Sequence, residues 1–207
     1  MFLKSPPALI LASTSIYRRE LLARLRIPFE CQQPLVDETP LPGESACELA
    51  ARLARSKAHA VARRHPDAWV IGGDQVALLQ GEAASEQSPS DTILGKPGSV
   101  AACVDQLLRC SGRTLRFVTA MALVRHRDAV LSEFIDTTRV TFRALDLATI
   151  QRYVALDSPL DCTGGFKSEG LGITLCESID TADPTALIGL PLIRVGAMLR
   201  SVGFQLP

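Results

Sequence analysis

The feature that most constrains this chain is how its first apolar run ends. Leu9-Ile10-Leu11-Ala12 is unbroken apolar sequence, too short for a buried helix and the right length for a buried strand. It stops at Ser13-Thr14-Ser15, whose hydroxyls can cap whatever follows. From Tyr17 to Leu25, Leu21, Leu22 and Leu25 share one helical face, while Arg18, Arg19, Glu20 and Arg24 lie largely elsewhere. The chain therefore opens as strand, polar turn and amphipathic helix, which points to an α/β fold.

The same reading extends along the sequence. A short strand is predicted around Phe29 to Cys31, followed by a Pro-rich loop carrying Val36-Asp37-Glu38. Ser45-Ala46-Cys47-Glu48 is a capping box, and Leu49, Leu53 and Val61 carry its helix to about Arg64. Trp69-Val70-Ile71 reads as a buried strand stopping at Gly72-Gly73, which would leave Asp74 and Gln75 at a sheet edge with Val76 to Leu79 beyond. Residues Gly81 to Thr92 have the composition of a mobile solvated loop. Beyond it, helices are predicted from Ser99 to Cys110, from Asp146 to about Leu156 and from Leu192 to Val202. Between them come strands around Thr114 to Val124, Val130 to Asp136 and Thr137 to Phe142. Interleaved helices and strands without repeats or linkers predict one domain over 1–207, with helices on a twisted mixed sheet.

Composition narrows the function. Lys+Arg and Asp+Glu each total 22 in 207 residues, so no global positive field draws the chain to nucleic acid, and phosphate binding has to be local. No run approaches a membrane span of ~20 apolar residues, so a soluble cytoplasmic protein is expected. The six cysteines lack CxxC or zinc spacing and read as buried small hydrophobes. His59, His65 and His126 read as structural or exposed, and neither a GxSxG elbow nor a Walker A loop is present.

Six segments carry chemistry. At Ser13 to Arg19 the helix N-terminus can receive an anion with Arg18 assisting; equally, Ser15 can simply cap the helix while Arg18 and Arg19 form its solvated face. Asp37 and Glu38 offer oxygen donors for Mg²⁺ or Mn²⁺, or are just a solvated acidic loop. Asp74 follows an apolar strand, where open α/β sheets place ligands. Lys57 and the Lys96 of Gly95-Lys96-Pro97 are point charges suited to phosphate or to the surface. Four glycines surround Lys167, Ser168 and Glu169 in Gly164 to Gly172, letting backbone approach a ligand closely.

Taken together these segments resemble the Maf family of nucleotide pyrophosphatases. The marks are Leu-Ala-Ser-Thr-Ser-x-x-Arg-Arg at 11–19, Val-Asp-Glu at 36–38, Lys57, Gly-x-Asp-Gln at 72–75 and Gly-Lys-Pro at 95–97. Gly-x-Phe-Lys-Ser-Glu-Gly-x-Gly-Ile at 164–173 and Leu-Ile-Gly-Leu-Pro at 187–191 complete a match over nearly the whole chain. The resemblance implies a Maf or inosine triphosphate pyrophosphatase-like fold, two lobes around a central nucleotide cleft, and a homodimer. It implies hydrolysis of a nucleoside triphosphate between its α- and β-phosphates, in the presence of a divalent metal (Mg, Mn or Co). Asp74 is carried over as proton acceptor, Glu38 and Asp74 as metal ligands, and Ser13, Arg18, Lys57, Lys96 and Lys167 as phosphate contacts. Gln75 and the Phe-Lys-Ser-Glu-Gly sequence resemble the branch acting on 7-methyl-GTP, with Tyr17, Gln75 and Glu169 setting specificity. Tyr17 replaces the Trp more usual there, Ile16 a Pro and Gly73 a Ser. The alternatives are a dTTP or UTP pyrophosphatase, another modified-nucleotide pyrophosphatase, and a nucleotide-binding regulator of cell division without turnover.

Overall fold

A computed structural model describes residues 8–79, 81 and 92–207. In chain order its elements are β1 (Leu9–Ala12), α1 (Ile16–Ala23), β2 (Glu30–Cys31), α2 (Ala46–Ala62), β3 (Trp69–Leu79) and β4 (Thr92–Leu94). Then follow α3 (Val100–Cys110), β5 (Thr114–Arg125), β6 (Val130–Phe142), α4 (Leu147–Asp157), β7 (Cys176–Asp180) and α5 (Leu192–Ser201). The strands form a seven-stranded sheet in the order β2-β1-β3-β5-β6-β7, with β4 also on β3. β1 runs parallel to β2 and β3, whereas β4 pairs antiparallel with β3 and β7 with β6, so the sheet is mixed as predicted.

The chain clusters into two compact units, residues 1–74, 119–136 and 183–207 in the first and 75–118 and 137–182 in the second. In the first, alternation along β1 and β3 divides the side chains between two faces. Leu9, Leu11, Trp69 and Ile71 pack with Met121, Leu123, Leu21 and Leu22 of α1, and Val195 and Leu199 of α5. Residues of opposite parity face α2, whose Leu53, Ala54, Ala58 and Val61 are buried. The second unit packs Phe166 against Phe142, edge to face at 5.2 Å, and against Phe117 at 6.1 Å.

Capping explains where the helices begin. Ser15, Ser45, Ser99 and Asp146 each accept a backbone N–H of the first turn, and the capping box at Ser45 and Glu48 is complete. α5 starts differently, because its N-cap is Pro191, with no capping side chain. Buried Asp183 and its neighbour Thr185 take that part from outside the helix: Asp183 Oδ2 accepts Ile193 N–H at 2.7 Å, and Thr185 Oγ1 accepts Leu192 N–H at 2.8 Å.

Three expectations are corrected. β3 does not stop at the glycines but runs on to Leu79, which puts Asp74 in the middle of a strand. The two glycines are there because neighbours come close. A Cβ on Gly72 would collide with the Ala54 carbonyl and lie 2.6 Å from Ala58 N, while one on Gly73 would lie 2.6 Å from Met121 Sδ. Val130 to Asp136 and Thr137 to Phe142 are one strand, since the β-branched residues after Asp136 keep the backbone extended. Only Cys103 and Cys110 are buried cysteines; Cys31 and Cys47 are exposed, and all six are free thiols. Burial pushes the Cys110 thiol up to about 12 and Cys103 up to about 11, so neither is a nucleophile near neutral pH. β4, β7 and the single turns Thr163–Gly165 and Leu171–Leu175 were not predicted. The predicted mobile loop lies, apart from Gly81 and Thr92, outside the described residues.

Gly72→Ala is expected to destabilise the protein by about 1–3 kcal/mol, because the obstruction is helix backbone that has to shift. Gly95→Ala, with nothing within 4 Å of the added Cβ, should lie within about 0.5 kcal/mol of wild type. Thermal melts of the two variants side by side check the contrast.

Candidate functional site

Strand parity builds the centre of the first unit. Asp74 is two residues after Gly72 and so shares the face that α2 covers. On α2, Ala54, Lys57 and Ala58 sit at helical i, i+3, i+4 spacing and face the strand together. Because Gly72 lets the helix backbone approach, the Lys57 ammonium reaches Asp74 Oδ1 at 2.7 Å, with both side chains largely buried. The same ammonium also meets Glu38 Oε1 at 2.8 Å, and Glu38 is open to solvent. One buried cation thus bridges two carboxylates from separate segments.

Arg18 completes this cluster. Its Nε donates to the Gly189 carbonyl at 3.0 Å and its Nη1 to the Gly73 carbonyl at 3.0 Å, so it fixes the peptide that leads into Asp74. Burial pushes the guanidinium below its usual range, opposed by the charges of Asp74 and Glu38. Ser13 is buried, and its Oγ accepts Ser15 N–H at 3.1 Å in a local turn. That leaves its own O–H as a donor. Tyr17 lies half-buried in the first turn of α1.

Gln75, Lys96, Lys167 and Glu169 belong to the second unit. Lys96 is exposed in its Gly-Lys-Pro turn, whose Gly95 carbonyl accepts Gly164 N–H at 3.1 Å, so the two glycine-bearing loops are joined directly. Lys167 is half-buried and Glu169 exposed.

Two supports had no sequence signal strong enough to single them out. Arg52, one turn before Lys57 on α2, donates to Thr39 O at 3.0 Å and to both Glu44 oxygens, tying the Glu38 loop to the helix. Its guanidinium pulls the Glu44 carboxyl down to about 2. On α4, Tyr153 Oη accepts Lys167 N–H at 3.0 Å and Asp157 Oδ2 accepts Leu171 N–H at 2.7 Å. These two side chains, at i and i+4, grip both ends of the loop that carries Lys167 and Glu169. A Cβ on Gly170 would be 2.5 Å from the Asp157 carboxylate, which explains the glycine there.

The donor set suits a hard divalent cation. Glu38 and Asp74 offer carboxylate oxygens, and one cation, the Lys57 ammonium, meets both of them. Among the described residues no group of three or more His, Cys, Asp or Glu stands together. Among the described residues the cluster therefore offers two carboxylates, Glu38 and Asp74. His59 and His65 are half-buried and His126 is exposed.

Over 199 residues the chain is 54% identical to a 7-methyl-GTP pyrophosphatase of Aromatoleum aromaticum, covering 96% of this chain and 97% of that one. It is 52% identical over 201 residues to a 7-methyl-GTP pyrophosphatase of Xanthomonas campestris pv. campestris, covering 97% and 99%. Among solved structures, the Staphylococcus aureus Ham1 protein is similar at 18% identity and a TM-score of 0.42, over 65% of this chain and 71% of that one. A family model described as Maf-like protein matches residues 8–202, and the chain belongs to that family.

Proposed function

We propose that this protein hydrolyses a nucleoside triphosphate at its α–β anhydride, with 7-methyl-GTP as the preferred substrate, releasing the monophosphate and pyrophosphate. The observation that carries this reading is Asp74, a buried strand carboxylate bridged by Lys57 to Glu38 and backed by Arg18. Identity above 50% to relatives named for that substrate supports the choice of nucleotide.

In the reaction a water oxygen bonds to the α-phosphorus, the α–β bridging P–O bond breaks, and its electron pair leaves with the departing pyrophosphate. Asp74 takes the proton of the attacking water; with only Oδ1 engaged by Lys57, the carboxylate keeps lone pairs for it. A divalent ion held by Glu38 and Asp74 would polarise the phosphate oxygens. Lys96, Lys167 and the O–H of Ser13 contact phosphate oxygens, and Arg18 contributes its positive charge while holding the Gly73 carbonyl. Tyr17 stacks on the cationic methylated base, Glu169 accepts its N–H donors, and Gln75 reads its polar edge. The proposal includes a cytoplasmic homodimer, with no role for nucleic acid. The net charge is +0, and no described helix is long and apolar enough to cross a membrane.

Pyrophosphate release with Mg²⁺, Mn²⁺ or Co²⁺ over a panel of 7-methyl-GTP, GTP, dTTP and UTP tests the activity. Preference for 7-methyl-GTP is the expected result. Preference for dTTP or UTP would replace the substrate, and tight binding without turnover of any triphosphate would replace the enzyme by a nucleotide-binding regulator. Asp74→Asn should lower kcat by about 10²–10⁴-fold with the circular dichroism spectrum unchanged. Asp157→Ala should raise KM for 7-methyl-GTP about tenfold through the freed Lys167–Glu169 loop, and Asp157→Asn, which keeps an acceptor oxygen, should restore most of it.

A further inference from the structure

The first unit sets its charges in an arrangement that the hydrolytic reading alone does not require. Glu38, from the loop before α2, and Asp74, within β3, point at one ammonium, with 2.7 and 2.8 Å contacts to Lys57. Arg18 acts on both carboxylates through space and is tied to the Gly73 carbonyl. Two anions and two cations leave the cluster neutral. Arg18 is held by two backbone carbonyls from separate segments and has no freedom to leave. Lys57 is different: its ammonium ends a flexible four-carbon stem, and one of its two partners, Glu38, is open to solvent.

A lysine dedicated to phosphate would present its ammonium to solvent and ligand. Lys57 instead spends its charge on the two carboxylates that are the chain's oxygen donors for a divalent ion. One ammonium thus holds a loop carboxylate and a strand carboxylate at a single point.

Resting on the reading above, we propose that Lys57 is an exchangeable counter-ion that reserves the Glu38–Asp74 pair for a divalent cation. When the cation arrives with a triphosphate, the ammonium moves from the carboxylates to the phosphate oxygens. The exchange keeps charge balanced. A divalent ion alone would leave the cluster strongly positive, an excess that the polyanionic triphosphate offsets. The ion by itself is therefore bound weakly, and nucleotide and ion bind cooperatively, because Lys57 competes with the ion for the same oxygens.

The test is Mn²⁺ binding in the absence of nucleotide, followed by electron paramagnetic resonance or calorimetry at fixed pH. Lys57→Met, close in length and without charge, is expected to bind Mn²⁺ at least tenfold more tightly than wild type, and Glu38→Gln more weakly. An equal or weaker affinity for Lys57→Met would overturn the proposal. A second readout needs no variant: the Lys57 Nζ–H signal of wild-type protein, sheltered by its two ion pairs, should move to a solvent-exchanging position when Mg²⁺ and a non-hydrolysable 7-methyl-GTP analogue are added together. A signal unchanged at saturation would equally overturn it. The functional reading fails separately: wild type that releases no pyrophosphate from any triphosphate removes the hydrolase, whatever the Mn²⁺ affinities show.

Discussion

Everything in the first unit depends on how closely α2 lies against β3. At Gly72 the strand has no side chain, and the carbonyl of Ala54 and the amide of Ala58 occupy the space a Cβ would need. That approach brings Lys57, one helical turn from Ala54, within 2.7 Å of Asp74 two residues along the strand. A bulkier residue at Gly72 would hold the helix away from the strand, and the ion pair would lengthen with it. The glycine is thus a packing residue whose consequence is electrostatic.

Around that contact the fold tightens the site from several directions. Arg18 spans from α1 to the Gly73 and Gly189 carbonyls, so the segment after Ala186 and the strand before Asp74 are held by one planar donor. Arg52 ties down the loop carrying Glu38. In the second unit, α4 does the equivalent for Lys167 and Glu169 through Tyr153 and Asp157. In each case the candidate side chain sits on a loop or strand, and a neighbouring helix holds the backbone beside it by hydrogen bonds.

Much of this was legible in sequence. The capping residues Ser15, Ser45, Ser99 and Asp146 announce their helices through local bonds to the first turn, and those bonds need no tertiary partner. The apolar runs at Leu9 and Trp69 mark strands for the same reason. The family motifs named candidate site residues, though only as a set. Gly72-Gly73 was the instructive failure: read locally, paired glycines end a strand, and only the helix packed on one and the Met121 side chain packed on the other explain why the strand continues. The start of α5 was similarly opaque, because its cap comes from Asp183 and Thr185, well before the helix begins.

What the sequence determined by itself was the helices, most of the strands, their order and the chemical types available to the site, since caps, periodicity and motif spacing are short-range properties. Tertiary structure decided which charges meet. That Lys57 faces Asp74 and Glu38, that Arg18 grips Gly73, and that Tyr153 and Asp157 hold the Lys167 loop all follow from contacts between distant segments. Coulomb and hydrogen-bond energies depend on separations of a few ångströms, and no spacing along the chain encodes those.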